Sequence, residues 1–555
     1  MNRELLKYSD VEKPEYIPEG KIFRILFDAN MNMMRVVCHS QRLMDCMREA
    51  FSDKNPASFY VSMYGYDIDD KVYLINQFGY FKPGLFFDIV SYISSNYGNL
   101  GMVYMSEQCR EYVVDYLMPL KKHVKKLDKD NFEVADICED SGRNEKIRNG
   151  FRDGDEIHLR DYQIEGIKKA IFEGYGRGLV ELPTSAGKSL VIADFIYTME
   201  RKVLSGLKYM IFVPNTQLVT QFYKDLLDYG FSKDMVTQLV TKTRGSLKFN
   251  PDARIIITNR QYIFKNKDKI PNVDVLINDE VHQSKSKSAT IEVVDGINCK
   301  MKLGFSGTLP RGKYEKLSLV GSFGRVFFVE DITHLQKEGY ISKLEINLIK
   351  IHDKTVDRDR NLTFNENTNR KFSLENPNGI KFNEAFDDEI SYINKNYEKL
   401  YSPIISELVN LEGNTLVLFD RLEFGKNMFD LAKGISFGKG VYYIDGQTPV
   451  QEREQARSDL EKSNENILFG QCSILSTGIN IKNMTNLVMM VSTKSFSRVL
   501  QSIGRTLRLH KDKDTARLFD ISFNFKYSQK HLEERLRIYR EMYHKTPDTS
   551  RTIEV

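Results

Sequence analysis

An α/β fold of two tandem parallel-sheet domains, preceded by a small α+β module, follows from three features of the sequence. The first is a rhythm. The apolar runs "GLVEL", "YMIFVP", "RIIITN", "VDVLIND" and "KLGFSGT" alternate with stretches of helical spacing, and the same rhythm returns in "TLVLFD", "GVYYID", "NILFGQ", "NLVMMVS" and "RLFDIS". Runs that are apolar throughout suit strands buried on both faces, and their alternation with helices implies a parallel sheet covered by helices. The second feature separates the two sets: residues 352–382 are polar and Asn-rich, as a surface excursion would be. The third is a leading segment, residues 1–138, rich in Tyr, Phe and Met and carrying short alternating stretches such as "KVYLINQFGYF".

The boundaries follow in order. Residues 1–138 form the accessory module, and the polar, Gly-containing residues 139–156 ("EDSGRNEKIRNGFRDGDE") form a linker. Residues 157–340 and 341–525 are the two α/β domains. Residues 526–555 form a tail, in which "SQKHLEERLRIYREMYH" reads as a charged amphipathic helix.

Composition bounds the function classes. The chain has 555 residues, 41% hydrophobic and 28% charged, ordinary for a globular protein with several well-buried cores. With 80 basic and 76 acidic residues the net charge is +4, so any basic surface for nucleic acid is local. The six cysteines lie far apart with no Cys-x-x-Cys pair, which suggests buried thiols rather than a zinc site or a disulfide framework. The leading "MNRELLKYSDVEKPEY" lacks a signal-peptide core and no run nears the length of a membrane span, so a cytoplasmic protein is expected, in the host cytoplasm if the source is viral.

The chemistry concentrates at "ELPTSAGKSL", residues 181–190. Gly187, Lys188 and Ser189 close a phosphate-binding loop, although Leu182 occupies the position of its usual first glycine. The loop sits between the strand-like "GLVEL" and the helix-like "SLVIADFIYTM", where backbone N–H groups and a helix N-terminus face the β- and γ-phosphates of ATP. Lys188 would neutralise phosphate charge and Ser189 would ligate Mg²⁺. Pro183 and Thr184, ahead of the small pair Ser185 and Ala186, would hold the loop open. On this stretch alone, a solvated turn remains an alternative. In "VLINDEVH" an acidic pair ends a hydrophobic strand. Asp279 is assigned to the metal shell and Glu280 to the attacking water, because a carboxylate can hold Mg²⁺ and its neighbour can accept a proton.

With Pro-Thr-Ser-Ala-Gly-Lys-Ser at 183–189 and Asp-Glu-Val-His at 279–282, the chain resembles superfamily 2 helicases and translocases, in which the loop commonly lacks the first glycine. The resemblance implies two RecA-like motor domains using ATP and Mg²⁺, and it extends in the family's order. "LRDYQIEGI" resembles the element in which a glutamine, here Gln163, reads adenine. "FVPNTQLVTQF" and "IIITNRQYIF" resemble segments that touch the nucleic-acid backbone. "GFSGTLPR" resembles the Ser-x-Thr element coupling hydrolysis to strand movement, through Ser306 and Thr308, with His282 closing the acidic motif. "STGINI", with Thr477 and Gly478, resembles a segment linking strand contact to the nucleotide. In "LQSIGRTLRLH", on an expected helix, Gln501, Arg505 and Arg508 match residues of which the arginines act as fingers on the γ-phosphate.

Motif order and wording are most similar to phage UvsW-type DNA helicases, with the XPB-like branch more distant. The segment "YGYDIDDKVYLINQFGYFKPGLFFDIVSYISSNYG" resembles the small DNA-binding domain ahead of the motor in that family. The resemblance therefore implies action on branched DNA: branch migration at junctions, unwinding of R-loops with RNA–DNA hybrids as possible substrates, and fork reversal in phage recombination, replication and repair. Asp67, Asp69 and Asp70 depart from this by making the module's hairpin acidic. Two alternatives stay open, an ATP-dependent RNA helicase and a nucleic-acid-binding scaffold with an inactive ATPase.

Overall fold

The computed structural model describes residues 3–9, 16–55, 69–98, 102–141, 157–241, 249–266, 269–283, 289–297, 299–355, 384–436, 438–472, 481, 483–490, 496–510 and 513–555. Asp67, Thr477, Gly478 and most of the linker and of the Asn-rich segment lie outside them. The chain divides into two compact units, a first built mainly from residues up to Glu330 and a second from Asp331 to Val555.

The first unit opens with a four-stranded mixed sheet: β1 (Phe23–Asp28), β2 (Met33–Cys38), β5 (Tyr80–Phe81) and β6 (Val103–Tyr104), in the order β5-β2-β1-β6. β3 (Ser52–Lys54) and β4 (Lys71–Tyr73) form a separate antiparallel ribbon. The motor sheet of the same unit has seven parallel strands: β7 (Arg177–Glu181), β8 (Tyr209–Val213), β9 (Val236–Leu239), β10 (Ile255–Asn259), β11 (Val275–Asn278), β12 (Met301–Ser306) and β13 (Val326–Val329). Their order is β13-β7-β12-β11-β8-β10-β9. β8, β10, β11 and β12 are buried at every position, as strands covered by helices on both faces must be.

The module is packed onto this motor sheet rather than merely linked to it. One apolar cluster runs from Phe23, Phe27 and Phe86 into Leu319, Val320 and Phe323. Gly84 makes this approach feasible: a Cβ there would lie 2.0 Å from the Val320 carbonyl oxygen. Polar contacts fix the register. Lys82 Nζ reaches Asp295 at 2.6 Å and Ser322 Oγ at 3.0 Å, and Asp53 Oδ2 accepts the Tyr314 N–H at 2.9 Å in the first turn of helix Lys313–Phe323.

The second unit is also a seven-stranded parallel sheet: β14 (Lys343–His352), β15 (Thr415–Phe419), β16 (Gly440–Ile444), β17 (Asn466–Gln471), β18 (Asn486–Met489), β19 (Thr515–Phe523) and β20 (Thr549–Glu554). The order is β16-β17-β15-β18-β19-β14-β20. The tail expected as a helix is one over Lys526–Tyr543, and the chain then turns back to add β20 beside β14. Within β19, Asp520 is wholly buried and held by the Arg535 guanidinium at 2.7 Å and the Tyr539 hydroxyl at 2.6 Å.

Four cysteines, Cys109, Cys138, Cys299 and Cys472, are buried as expected, whereas Cys38 is half-buried and Cys46 exposed. Among the described residues no helix is long and apolar enough to cross a membrane.

Candidate active site

β12 lies between β7 and β11, so the carboxyl ends of three neighbouring strands form one row. Ends of parallel strands are where α/β sheets bind ligands, because loops and helix N-termini converge there. From β7 the chain passes Leu182, Pro183, Thr184, Ser185 and Ala186 and enters helix Lys188–Thr198, whose N-cap is Gly187. Gly187 has φ +73°, in the left-handed region, and a Cβ there would lie 2.5 Å from the Gln163 side-chain nitrogen. Gln163, buried in helix Asp161–Phe172, thus abuts the loop it is expected to serve, and its Oε1 accepts the Arg160 N–H at 2.9 Å.

Beyond β11 the acidic pair turns sharply. Glu280 has φ +52°, and Ser185 in the loop after β7 has φ +75°. Such conformations cost non-glycine residues energy and concentrate at functional sites. The Asp279 N–H donates to the Phe212 carbonyl at 2.9 Å, anchoring the turn to β8. Asp279 Oδ1 is buried and accepts no hydrogen bond among the described residues, and burial together with the neighbouring Glu280 charge pushes this carboxyl up.

A chain of contacts then joins the loop to the end of β12. Lys188 Nζ lies 3.8 Å from Glu280 Oε1, and Glu280 Oε2 lies 3.2 Å from His282 Nδ1. His282 Nδ1 is 2.8 Å from Ser306 Oγ, and Ser306 donates its one proton to the Thr308 carbonyl at 2.6 Å. With that proton directed to Thr308, Ser306 Oγ presents its lone pairs toward His282. Glu181, at the end of β7, accepts the Leu309 N–H at 3.2 Å and pins the Ser306–Thr308 turn.

Ser189 Oγ lies 2.9 Å from the hydroxyl of Tyr229, a residue that no spacing in the sequence singles out. Asn215 caps helix Thr216–Tyr229 by accepting the Leu218 N–H at 3.0 Å, while Asn259 Nδ2 donates to Thr216 Oγ1 at 2.8 Å. The two segments expected at the nucleic-acid backbone therefore meet at the ends of β8 and β10.

In the second unit Gln501 and Arg505 lie on helix Phe496–Thr506. Arg508 lies beyond it, which differs from one helix carrying both arginines. At the helix end Lys513 Nζ donates to the Thr506 carbonyl at 2.7 Å and to the Met484 carbonyl at 3.0 Å, satisfying a carbonyl that the helix leaves without a backbone partner.

Comparison with known proteins bears on the family of the chain. Residues 156–311 match the family described as "Type III restriction enzyme, res subunit", and residues 400–510 match "Helicase conserved C-terminal domain". The ATP-dependent DNA helicase uvsW of Enterobacteria phage T4 is 30% identical over 365 residues, covering 64% of this chain and 67% of that protein. Putative helicase 22 of Sulfolobus islandicus filamentous virus (isolate Iceland/Hveragerdi) is 24% identical over 387 residues, 66% of this chain and 65% of that one. The chain thus spans about two thirds of the length of these curated relatives. Among solved structures, the DEAD-box helicase Mss116 bound to ssRNA and UDP-BeF superposes with a TM-score of 0.51 at 15% identity, covering 78% of this chain and 80% of that one, a likeness of fold. Two parallel motor sheets, a lysine-bearing loop facing a strand-end acidic pair, and these matches in chain order lead to one conclusion: the chain belongs to the superfamily 2 helicases of the UvsW type and is an ATP-hydrolysing helicase.

Proposed function

We propose that this helicase is a DNA motor acting on branched DNA, with its ATP site in the loop 183–189 and the acidic pair 279–280. The contact chain Lys188–Glu280–His282–Ser306 supports the ATP-site part of this reading, because it joins the loop lysine to the Ser-x-Thr element through side chains. The N-terminus of helix Lys188–Thr198 and Lys188 would hold the phosphates. Gln163 would meet the adenine. Glu280 would orient the attacking water and take its proton. Arg505 and Arg508 would add positive charge to the γ-phosphate in the transition state.

The donor set fits Mg²⁺. Asp279 Oδ1 is a buried carboxylate oxygen without a hydrogen bond among the described residues, and Ser189 supplies a hydroxyl, both hard oxygen ligands. Asp279 and Ser189 would hold Mg²⁺, which would supply positive charge to the phosphates. Its positive field would also reverse the burial effect on Asp279 and keep that carboxyl ionised.

Recognition of a second DNA arm falls to the leading module. Phe81 is core, but Phe78 is 61% and Tyr73 37% exposed. Arg48 lies over the Tyr73 ring at 4.7 Å, Lys71 pairs with Glu49, and Arg35 Nε donates to the Phe78 carbonyl at 2.8 Å. Exposed rings beside Arg48 and Arg35 suit base stacking next to phosphate, with the acidic Asp69 and Asp70 as the feature that opposes it. UvsW-type action at junctions, R-loops and stalled forks would use the motor on one arm and the module on another.

The test is ATP hydrolysis measured side by side on single-stranded, duplex and four-way-junction DNA and on matched RNA. Junction DNA should stimulate most, and Phe78→Ala with Tyr73→Ala should lower that preference while sparing single-strand stimulation. Stronger stimulation by RNA than by every DNA would reject the DNA assignment. These point substitutions are needed because removing the module would strip the motor core of its apolar cover.

A further inference from the structure

We infer that Tyr229 is a positioning residue for the metal-binding hydroxyl of Ser189, an inference that rests on the Mg²⁺ reading above. A serine hydroxyl has one proton and two lone pairs. When its oxygen ligates a divalent cation, the cation draws charge from the O–H bond, and the proton needs an acceptor pointing away from the metal. Tyr229 OH, 2.9 Å from Ser189 Oγ, is placed to be that acceptor.

The tyrosine is itself held at its backbone. It ends helix Thr216–Tyr229, its carbonyl accepts the Ser141 hydroxyl at 3.3 Å, and Gly230 follows with φ +127°. A Cβ on Gly230 would lie 2.6 Å from Ser141 Oγ, so the helix end is pressed against the segment carrying Ser141. The ring therefore springs from a fixed point, and its hydroxyl is delivered to the second residue of helix Lys188–Thr198. Outer partners of this kind orient a ligand and raise its basicity without touching the metal.

Mg²⁺ titrated against the full chain saturated with a fluorescent, non-hydrolysable ATP analogue tests this, with analogue binding in EDTA as the control. Tyr229→Phe keeps the ring and removes only the acceptor. It should weaken apparent Mg²⁺ affinity by about tenfold or more, as loss of an outer-shell partner does, and leave analogue binding in EDTA unchanged. Ser189→Ala should lose at least as much, and adding Tyr229→Phe to it should have no further effect. Equal weakening with and without Mg²⁺, an undiminished effect in the Ser189→Ala background, or failure of Tyr229→Phe to fold would each make the tyrosine a structural residue and overturn the assignment. Parental Mg²⁺ affinity in Ser189→Ala would instead remove the Mg²⁺ reading itself, and the inference with it.

Discussion

Asp279 and Asp520 are both acidic residues of parallel motor sheets, one just past β11 in the first unit and the other inside β19 in the second. Their surroundings are opposite. Asp520 is wholly buried, with its two oxygens shared between the Arg535 guanidinium and the Tyr539 hydroxyl. Asp279 keeps a buried oxygen that accepts nothing among the described residues, and its acidic neighbour Glu280 meets Lys188 only at 3.8 Å. A buried carboxylate is tolerable when paired and costly when not. The pairing at Asp520 is what a fold needs, whereas the open oxygen at Asp279 is what a cation-dependent reaction needs.

The largest effects should come from the residues assigned to ATP hydrolysis. Arg505→Ala and Arg508→Ala should each lower turnover by roughly 10³–10⁵ with little change in ATP affinity. Glu280→Gln should cost roughly 10²–10⁴ in turnover while ATP still binds, because an amide cannot accept a proton from water. Single-turnover hydrolysis alongside nucleotide binding separates the two quantities, and a loss confined to affinity would count against each role.

The Asp520 pairing should respond in stability instead. Arg535→Ala leaves Asp520 buried without its guanidinium and should destabilise the second unit by about 3–5 kcal/mol. Its urea midpoint should fall well before nucleotide binding by the first unit changes. A variant as stable as the parent would show that the pair contributes specificity rather than stability.

A third buried carboxylate, Asp194, falls between the two cases. Its Oδ1 accepts the Ile137 N–H at 2.7 Å, its Oδ2 accepts nothing among the described residues, and burial pushes its pKa up to about 8. Because the folded value lies above the ordinary 3.8, the folded state holds the extra proton between the two. The stability this group contributes is therefore fully present below 3.8 and is lost as pH rises through about 8. Denaturation midpoints taken at about pH 5 and about pH 8 should show the parent losing up to about 1.4 kcal/mol per pH unit more than Asp194→Asn. Parallel pH profiles would contradict this.

Much of this contrast is legible before the fold is known, and the gaps have physical causes. Strands such as β8, β10 and β11 announce themselves as apolar runs because both their faces are covered. β9, "VTQL", carries Thr237 and Gln238 that are buried all the same, and β20, "TSRTIE", is an exposed edge with no apolar pattern to read. Lys188, Asp279 and Glu280 are visible because their spacing is set by one strand-loop-helix unit and one strand end. Tyr229 is not, because its contact with Ser189 is made across forty residues by a side chain at a helix terminus. Likewise the lysine that caps the arginine helix, Lys513, has no local signature.

The most direct test of the contrast compares Asp279→Asn with Asp520→Asn, measuring Mg²⁺-dependent ATP hydrolysis and the unfolding midpoint for both. Asp279→Asn should abolish hydrolysis at a parental or slightly higher midpoint, since it removes a carboxylate whose buried Oδ1 accepts no hydrogen bond among the described residues. Asp520→Asn should lower the midpoint by leaving Arg535 buried without its counter-charge. Parental hydrolysis in Asp279→Asn would contradict the account.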